Sequence, residues 1–183
     1  SFSSTIKIIV PSEEDKYLAK ASLDNLKQYF PADISPEESP DLLYIALAGF
    51  NGGICNKNGD GVTKETAISI AEKFKNKYID LEHDRKQIIG NIIGYGFTKH
   101  GESASITKEE ALAYEGPIDV VLSGYIWQIV NEDIANLIIE ASDESSLKFG
   151  QCSGSWECLY DEYDVCVGSR NISEATIISD VAE

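Results

Sequence analysis

The sequence predicts an α+β fold, in which a barrel-like and mostly antiparallel sheet is surrounded by helices. Strand-length apolar runs are separated by helical patterns, but the two do not alternate regularly as in a doubly wound parallel sheet. The predicted strand Ile88–Thr98 carries three glycines, which within a strand indicate bulges or bends. With 183 residues, 43% of them hydrophobic, the chain suits one domain with a single core.

The first third of the chain predicts a strand, a helix and a second strand. Thr5–Val10 has the β-branched residues of a strand, and the turn and cap residues that follow it begin a helix that runs to about Tyr29. Prolines interrupt the segment from Pro31 to Asp41, which we expect to be a surface connection. Leu42–Phe50 is a continuous apolar run of strand length.

The middle of the chain predicts a helix over Val62–Lys77, followed by the strands Tyr78–Leu81 and Ile88–Thr98. A capping box then starts at Thr107 and opens a short helix that ends near Gly116.

The last third predicts a strand over Asp119–Val130 and then a helix, capped by Asn131, that extends to about Ala141. Phe149–Val167 has the pattern of a hairpin turning near Asp161-Glu162-Tyr163. A final strand is expected over Thr176–Val181.

The charge balance limits the classes of partner. With 31 acidic and 15 basic residues the formal net charge is -16, which repels phosphates and argues against a nucleic-acid partner. The longest apolar run falls short of the roughly 18 to 20 residues needed to cross a membrane, and Ser1–Ser4 does not resemble a secretory signal. We therefore expect a cytosolic protein with no membrane partner.

Two features could indicate a metal site, the cysteines and the loop after the second predicted strand, and both lack the ligand pattern that such a site requires. The four cysteines form no Cys-x-x-Cys pair and have no histidine at metal spacing, so we expect reduced thiols, no metal and no cofactor. The loop Asn56–Gly61 resembles the start of a calcium-binding EF-hand loop, but its twelfth position is Ala67 instead of glutamate. A tight turn leading into a helix capped near Thr63 is the preferred interpretation.

Only two histidines are available for acid–base chemistry. His83 follows a predicted strand and is flanked by charged residues, where an imidazole can be both exposed and oriented, whereas His100 lies in a predicted turn. A histidine in such a context is ordinarily a surface residue without a catalytic role. A catalytic role for His83 therefore requires a second reacting group close to it.

The candidate partner lies in a segment of small residues, Phe149–Glu157. Ser153 and Ser155 alternate onto one face of this predicted strand, and a serine hydroxyl becomes a nucleophile when a base takes its proton. Backbone N–H groups of the segment can stabilise an oxyanion. The alternative interpretation is a structural Ser-Gly-Ser. Trp156 alternates with the serines and is predicted to face the core.

Four short motifs, in this order, resemble the motif set of tailed-phage prohead proteases, which are relatives of the herpesvirus assemblins. The motifs are Asn56-x-Asn58 before an amphipathic helix, an acidic residue followed by His83, Cys152-Ser153-Gly154-Ser155, and Asp164-Val165-x-Val167-Gly168-Ser169 running into Ala175-Thr176-Ile177. The similarity covers about residues 42–180 of the single domain, while residues 1–41 form an amino-terminal strand and helix of unrecognised type.

The resemblance implies a herpesvirus-protease-like fold and a serine endopeptidase, with His83 as base, Ser153 as nucleophile and Asp164 as third member. This chain has Ser-Gly-Ser-Trp where some members have Ser-Ser-Arg-Gly, which leaves the oxyanion donor open. Glu157, Asp161 or Asp84 could orient the imidazole instead of Asp164.

The family also implies a biological setting. Such a bacteriophage enzyme cleaves scaffold and capsid proteins, and itself, during maturation of the prohead, and it acts in the host cytoplasm inside the immature capsid. A homo-oligomeric state is left open. Two other classes compete: a catalytically silent structural or scaffold component of the capsid, and a small calcium-binding or adaptor module.

Overall fold

A computed structural model describes residues 4–8, 28–33, 41–56, 59–156 and 163–178. They form a mixed α/β fold with a mostly antiparallel sheet and a few helices, as the sequence predicts. The strands are β1 (Ser4–Ile8), β2 (Leu42–Gly52), β3 (Tyr78–Leu81), β4 (Asp84–Lys99), β5 (Ser105–Ile106), β6 (Ile118–Trp127), β7 (Ser153–Gly154), β8 (Val165–Val167) and β9 (Thr176–Ile178). The α-helices are α1 (Lys64–Ala71), α2 (Lys108–Ala113) and α3 (Glu132–Ser142).

The main sheet has the strand order β3-β4-β6-β2-β1-β7, and β5 pairs separately with β4. Every strand pairing among the described residues is antiparallel. The predicted barrel is not formed, because within this part of the chain no ladder joins the outer strands β3 and β7. The sheet is therefore open, with β3 at one edge and β7 at the other.

Strand β2 lies inside the sheet and is covered on both faces. Leu43 and Ile45 pack on one face, while Tyr44 and Ala46 pack on the other. Two-sided burial explains why this segment is a continuous apolar run instead of an alternating one. A bulge between Ala48 and Phe50 then shifts the register against β6.

The helices pack where the sequence predicts them, with shorter bounds. Thr63 caps α1, whose residues Ala67 and Ala71 are fully buried, and a 3-10 turn follows instead of further α-helix. The predicted capping box at Thr107 is present at the start of α2. Asn131 precedes α3, but its side chain donates to the Trp127 carbonyl and does not cap the helix.

Strand β4 is longer than predicted and strongly irregular. It extends back to Asp84, so that β3 and β4 form a hairpin. Gly90 permits a close approach to β6, since a Cβ atom there would lie 1.9 Å from the Tyr125 carbonyl oxygen. The register shift between Ile92 and Gly94 agrees with the bulge that the glycines predict.

The carboxyl-terminal prediction needs correction. Among the described residues of Phe149–Val167 the expected hairpin pairing does not occur, because β7 pairs with β1 whereas β8 pairs with β9 in a separate two-stranded sheet. The local alternation predicted strands, but their partners come from distant parts of the chain. The strand expected over Asp119–Val130 ends at Trp127. The predicted amino-terminal helix and the end of the last strand fall mostly outside the described residues.

Candidate active site

His83 lies at the tip of the β3–β4 hairpin, in a two-residue turn. Leu81 pairs with Asp84, and the two residues between them, Glu82 and His83, have φ values of 54° and 59°. Hairpin turns with positive φ at both positions favour asparagine and glycine. A non-glycine residue held in such a conformation costs of order 1–3 kcal/mol, and such strain is concentrated at functional sites. The Glu-His turn is therefore less favoured than an Asn-Gly turn would be at these positions.

Asp84 stabilises the hairpin immediately after His83. One carboxylate oxygen, Oδ1, accepts a hydrogen bond from the Lys86 backbone N–H at 2.9 Å, and Oδ2 accepts one from Gln87 Nε2 at 2.9 Å. These hydrogen bonds lower the pKa of the Asp84 carboxyl below its ordinary value, and the bond from Gln87 contributes most. On the other side of the turn, Leu81 packs against the core cluster that includes Ile45.

Ser155 follows β7, at the opposite edge of the sheet. Ser153 and Ser155 are both exposed, as their alternation predicts, and the next residue, Trp156, is only 7% exposed. The Trp156 ring lies 4.7 Å from the ring of Phe50 and 5.8 Å from that of Phe74, measured between centroids. The prediction that Trp156 faces the core is confirmed, and this anchor fixes the position of the neighbouring serine.

The two regions meet in one hydrogen bond. His83 Nε2 lies 3.1 Å from Ser155 Oγ, although the residues are 72 positions apart and belong to opposite edges of the sheet path. This distance is within the reach required of a general base and its nucleophile. Both side chains are exposed to solvent. Ser153, the predicted nucleophile, lies two residues earlier and pairs with Thr5 of β1.

The third member of the site stays open. Asp164 is exposed and precedes β8, and among the described residues no hydrogen bond joins it to His83. Glu157 and Asp161 lie outside the residues that the structure describes. Asp84 uses both carboxylate oxygens for its own loop.

A second polar cluster, which the sequence does not predict, surrounds His100. Its Nδ1 lies 2.6 Å from Asp119 Oδ1, which also accepts a hydrogen bond from Asn51 Nδ2 at 2.5 Å. The other carboxylate oxygen accepts from the Gly101 backbone N–H at 3.0 Å. The Asp119 side chain is 12% exposed and that of His100 is 44% exposed. The one available signal was an aspartate inside the apolar strand β6.

The loop after β2, Asn56–Gly61, is the one whose sequence resembles the start of an EF-hand loop. The Asp60 backbone N–H donates to Asn56 Oδ1 at 3.0 Å, Gly59 has a φ of +90°, and Thr63 caps α1, which confirms the predicted tight turn. In the described part of the chain, no group of three potential metal ligands occurs. Burial raises the pKa of the thiols of Cys55 and Cys152, and both are free. Cys158 lies outside the described ranges.

Comparison with protein-family models, with curated proteins and with solved structures found no match for this chain. No helix among the described residues has the length and apolar character needed to cross a membrane.

Proposed function

We propose that the protein is a serine endopeptidase in which Ser155 is the nucleophile and His83 is the general base. The observation that carries the proposal is the 3.1 Å contact between His83 Nε2 and Ser155 Oγ. The sequence resemblance favoured Ser153, but the hydroxyl that hydrogen-bonds to the imidazole is that of Ser155.

The geometry supports acyl transfer. Neutral His83 accepts the hydroxyl proton at Nε2 while Ser155 Oγ attacks the carbonyl carbon of a peptide bond, and the protonated imidazole then gives that proton to the leaving amine. Water, deprotonated in turn by His83, hydrolyses the acyl-serine and restores the hydroxyl. The role of His83 as acceptor requires the tautomer in which Nδ1 carries the hydrogen.

The motif order supports a more specific role. We propose a herpesvirus-protease-like enzyme that cleaves scaffold and capsid proteins, and itself, within an immature viral capsid in the host cytoplasm. The meeting of two predicted motifs, the acidic-His83 motif and the Ser-Gly-Ser motif, supports this assignment, since they are far apart in sequence. Their contact links the turn between β3 and β4 to the segment after β7, toward the opposite edge of the open sheet.

The competing proposal is a catalytically silent capsid component with the same fold. A fluorophosphonate probe distinguishes the two without knowledge of the substrate, because an activated serine oxygen attacks phosphorus and displaces fluoride. We expect a single phosphonylated residue, Ser155, to be located by peptide mass spectrometry. Wild-type protein that stays unlabelled, and that yields no fragments with candidate capsid proteins, would favour the silent component.

Ser153→Ala is the matched control, since Ser153 is exposed and lies on the same side of the same segment. We expect it to retain labelling, whereas Ser155→Ala loses it. The opposite pattern would restore Ser153 as the nucleophile.

A further inference from the structure

We infer that Asp84 is a positioning residue, which holds His83 opposite Ser155 through the shape of the hairpin and not by pairing with the imidazole. This inference rests on the proposed function for its catalytic consequence, although its structural part can be tested separately.

The register of the hairpin shows what Asp84 does. Asp80 pairs with Ile88, and the next residue of β3, Leu81, pairs with Asp84. Three residues of β4, Arg85–Gln87, therefore have no paired residue on β3. They form a bulge immediately after the turn that carries His83, and such bulges re-aim neighbouring side chains.

Two hydrogen bonds that the Asp84 carboxylate accepts stabilise this bulge. Its Oδ1 accepts from the backbone of Lys86 and its Oδ2 accepts from the side chain of Gln87, so each oxygen bonds to a group within the bulge. Since the same residue follows His83 directly in the chain, any movement of the Asp84 backbone also displaces the imidazole.

The turn needs this support because its own backbone conformation is unfavourable. Glu82 and His83 both have positive φ and are exposed, so core packing does not hold them. Residues in sparsely populated conformations persist only where the surroundings over-determine them. Asp84 on one side of the turn and the packed Leu81 on the other both contribute to that constraint.

The Asp84→Asn variant separates a positioning role of Asp84 from a role as charge partner of the imidazole. The asparagine Oδ1 can still accept from the Lys86 N–H, and its Nδ2 can donate to the Gln87 side-chain carbonyl after that amide turns over. Asp84→Asn therefore keeps the bulge closed but removes the charge. Asp84→Ala removes both.

Asp143 offers a matched control elsewhere in the molecule. It accepts hydrogen bonds at Oδ1 from the backbone N–H and from the hydroxyl of Ser145, and it directly follows α3. Like Asp84, it has a carboxyl pKa lowered by local hydrogen bonds, those of Ser145. Asp143→Ala removes the same kind of local interaction away from the candidate site.

The first measurement is the rate of fluorophosphonate labelling at Ser155 as a function of pH. We expect Asp84→Ala to slow labelling by about 10- to 100-fold, since a misplacement of about 1 Å can cost this much. Asp84→Asn should stay within about threefold of wild type, with the same midpoint in its pH profile, and Asp143→Ala should match wild type.

The second measurement is the NMR spectrum of the His83 imidazole in protein that retains Ser155, recorded without substrate or probe so that catalysis plays no part. Asp84→Ala should shift the ring resonances toward those of a free imidazole, while Asp84→Asn should leave them in place. Folding of each variant is checked by circular dichroism.

Two results would overturn the inference. Equal slowing in Asp84→Asn and Asp84→Ala, with a displaced pH midpoint, would make Asp84 a charge partner of the imidazole. Asp84→Ala that labels like Asp143→Ala and leaves the imidazole spectrum unchanged would remove any role in positioning. If wild-type protein is not labelled at all, the proposed function fails, and the imidazole spectra still decide whether Asp84 positions His83.

Discussion

The two histidines lie at opposite ends of the same strand and make different contacts. His83 immediately precedes β4, in a two-residue turn with positive φ, and its Nε2 contacts the Ser155 hydroxyl. His100 immediately follows β4, beside Gly101 at a φ of +79°, and its Nδ1 contacts the Asp119 carboxylate. One imidazole faces a potential nucleophile, and the other faces an acid.

The comparison shows that an oriented imidazole is not by itself a catalytic one. The carboxylate of Asp119 gives His100 the orientation found in many catalytic dyads, but the contacts of this carboxylate also tie three parts of the fold together. His83 has a serine at hydrogen-bonding distance on a strained turn, and serine activation requires a base at that distance. The proposed chemistry therefore belongs to the His83 region, and we expect a stabilising role for the His100 region.

The largest effect is expected at the nucleophile. Ser155→Ala should reduce proteolysis by about 10,000-fold or more, because the covalent step loses its reacting oxygen. Ser153→Ala should stay within about threefold of wild type. Gel analysis of fragments from candidate capsid or scaffold proteins, together with fluorophosphonate labelling, measures both variants. An inactive Ser153→Ala beside an active Ser155→Ala would reverse the assignment.

The histidines themselves give the most direct test of the comparison. His83→Ala should lower the labelling rate at Ser155 by about 1,000-fold, since the serine loses its base. His100→Ala should leave that rate unchanged. Equal and small effects at the two positions would favour the silent structural component, and a larger effect at His100 would contradict the assignment of chemistry to the His83 region.

Trp156 should matter for stability more than for chemistry. Trp156→Ala removes a buried ring that packs on Phe50 and Phe74, and we expect it to lower the free energy of unfolding by about 3–5 kcal/mol. Urea unfolding measures this change. Leu147→Ala is the control, because Leu147 is 100% exposed and its loss should change stability by no more than about 0.5 kcal/mol. A neutral Trp156→Ala would show that Ser155 is not anchored in this way.

The His100 region should respond in stability alone. Asp119→Ala leaves Asn51 and the Gly101 N–H without their acceptor, at a cost of about 1–3 kcal/mol. Labelling at Ser155 should be unaffected in the folded protein. Glu115→Ala, at an exposed acidic position, should leave the unfolding midpoint unchanged. Loss of labelling in folded Asp119→Ala would connect the two regions and contradict their separation.

The smallest effect is local and pH-dependent. Because hydrogen bonds lower the folded-state pKa of Asp84, its contribution to the hairpin is complete above the ordinary carboxyl value of 3.8 and is lost as the pH falls through the lowered pKa. The Lys86 amide proton, which donates to this carboxylate, should therefore titrate in NMR spectra below pH 3.8. Asp84→Asn should abolish that titration, and an unchanged titration in this variant would assign it to another group.

Local patterns were enough to predict most elements. Neighbouring residues specify the capping box at Thr107, the turn that ends at Thr63 and the buried run of β2. The structure confirms each of these features. The alternation of Trp156 with exposed serines also predicted its burial. Each of these features depends on interactions within a few positions of the chain.

What the sequence by itself determined was therefore the α/β class, the mostly antiparallel sheet and the identity of the two candidate segments, since periodicity and caps are local properties. Only the tertiary structure decided that the sheet stays open and that β7 pairs with β1. It also decided that His83 contacts Ser155 and that His100 contacts Asp119. These outcomes depend on strand register and sheet curvature. A shift of one residue in register reverses every side chain, and no local pattern fixes which distant strand supplies the partner.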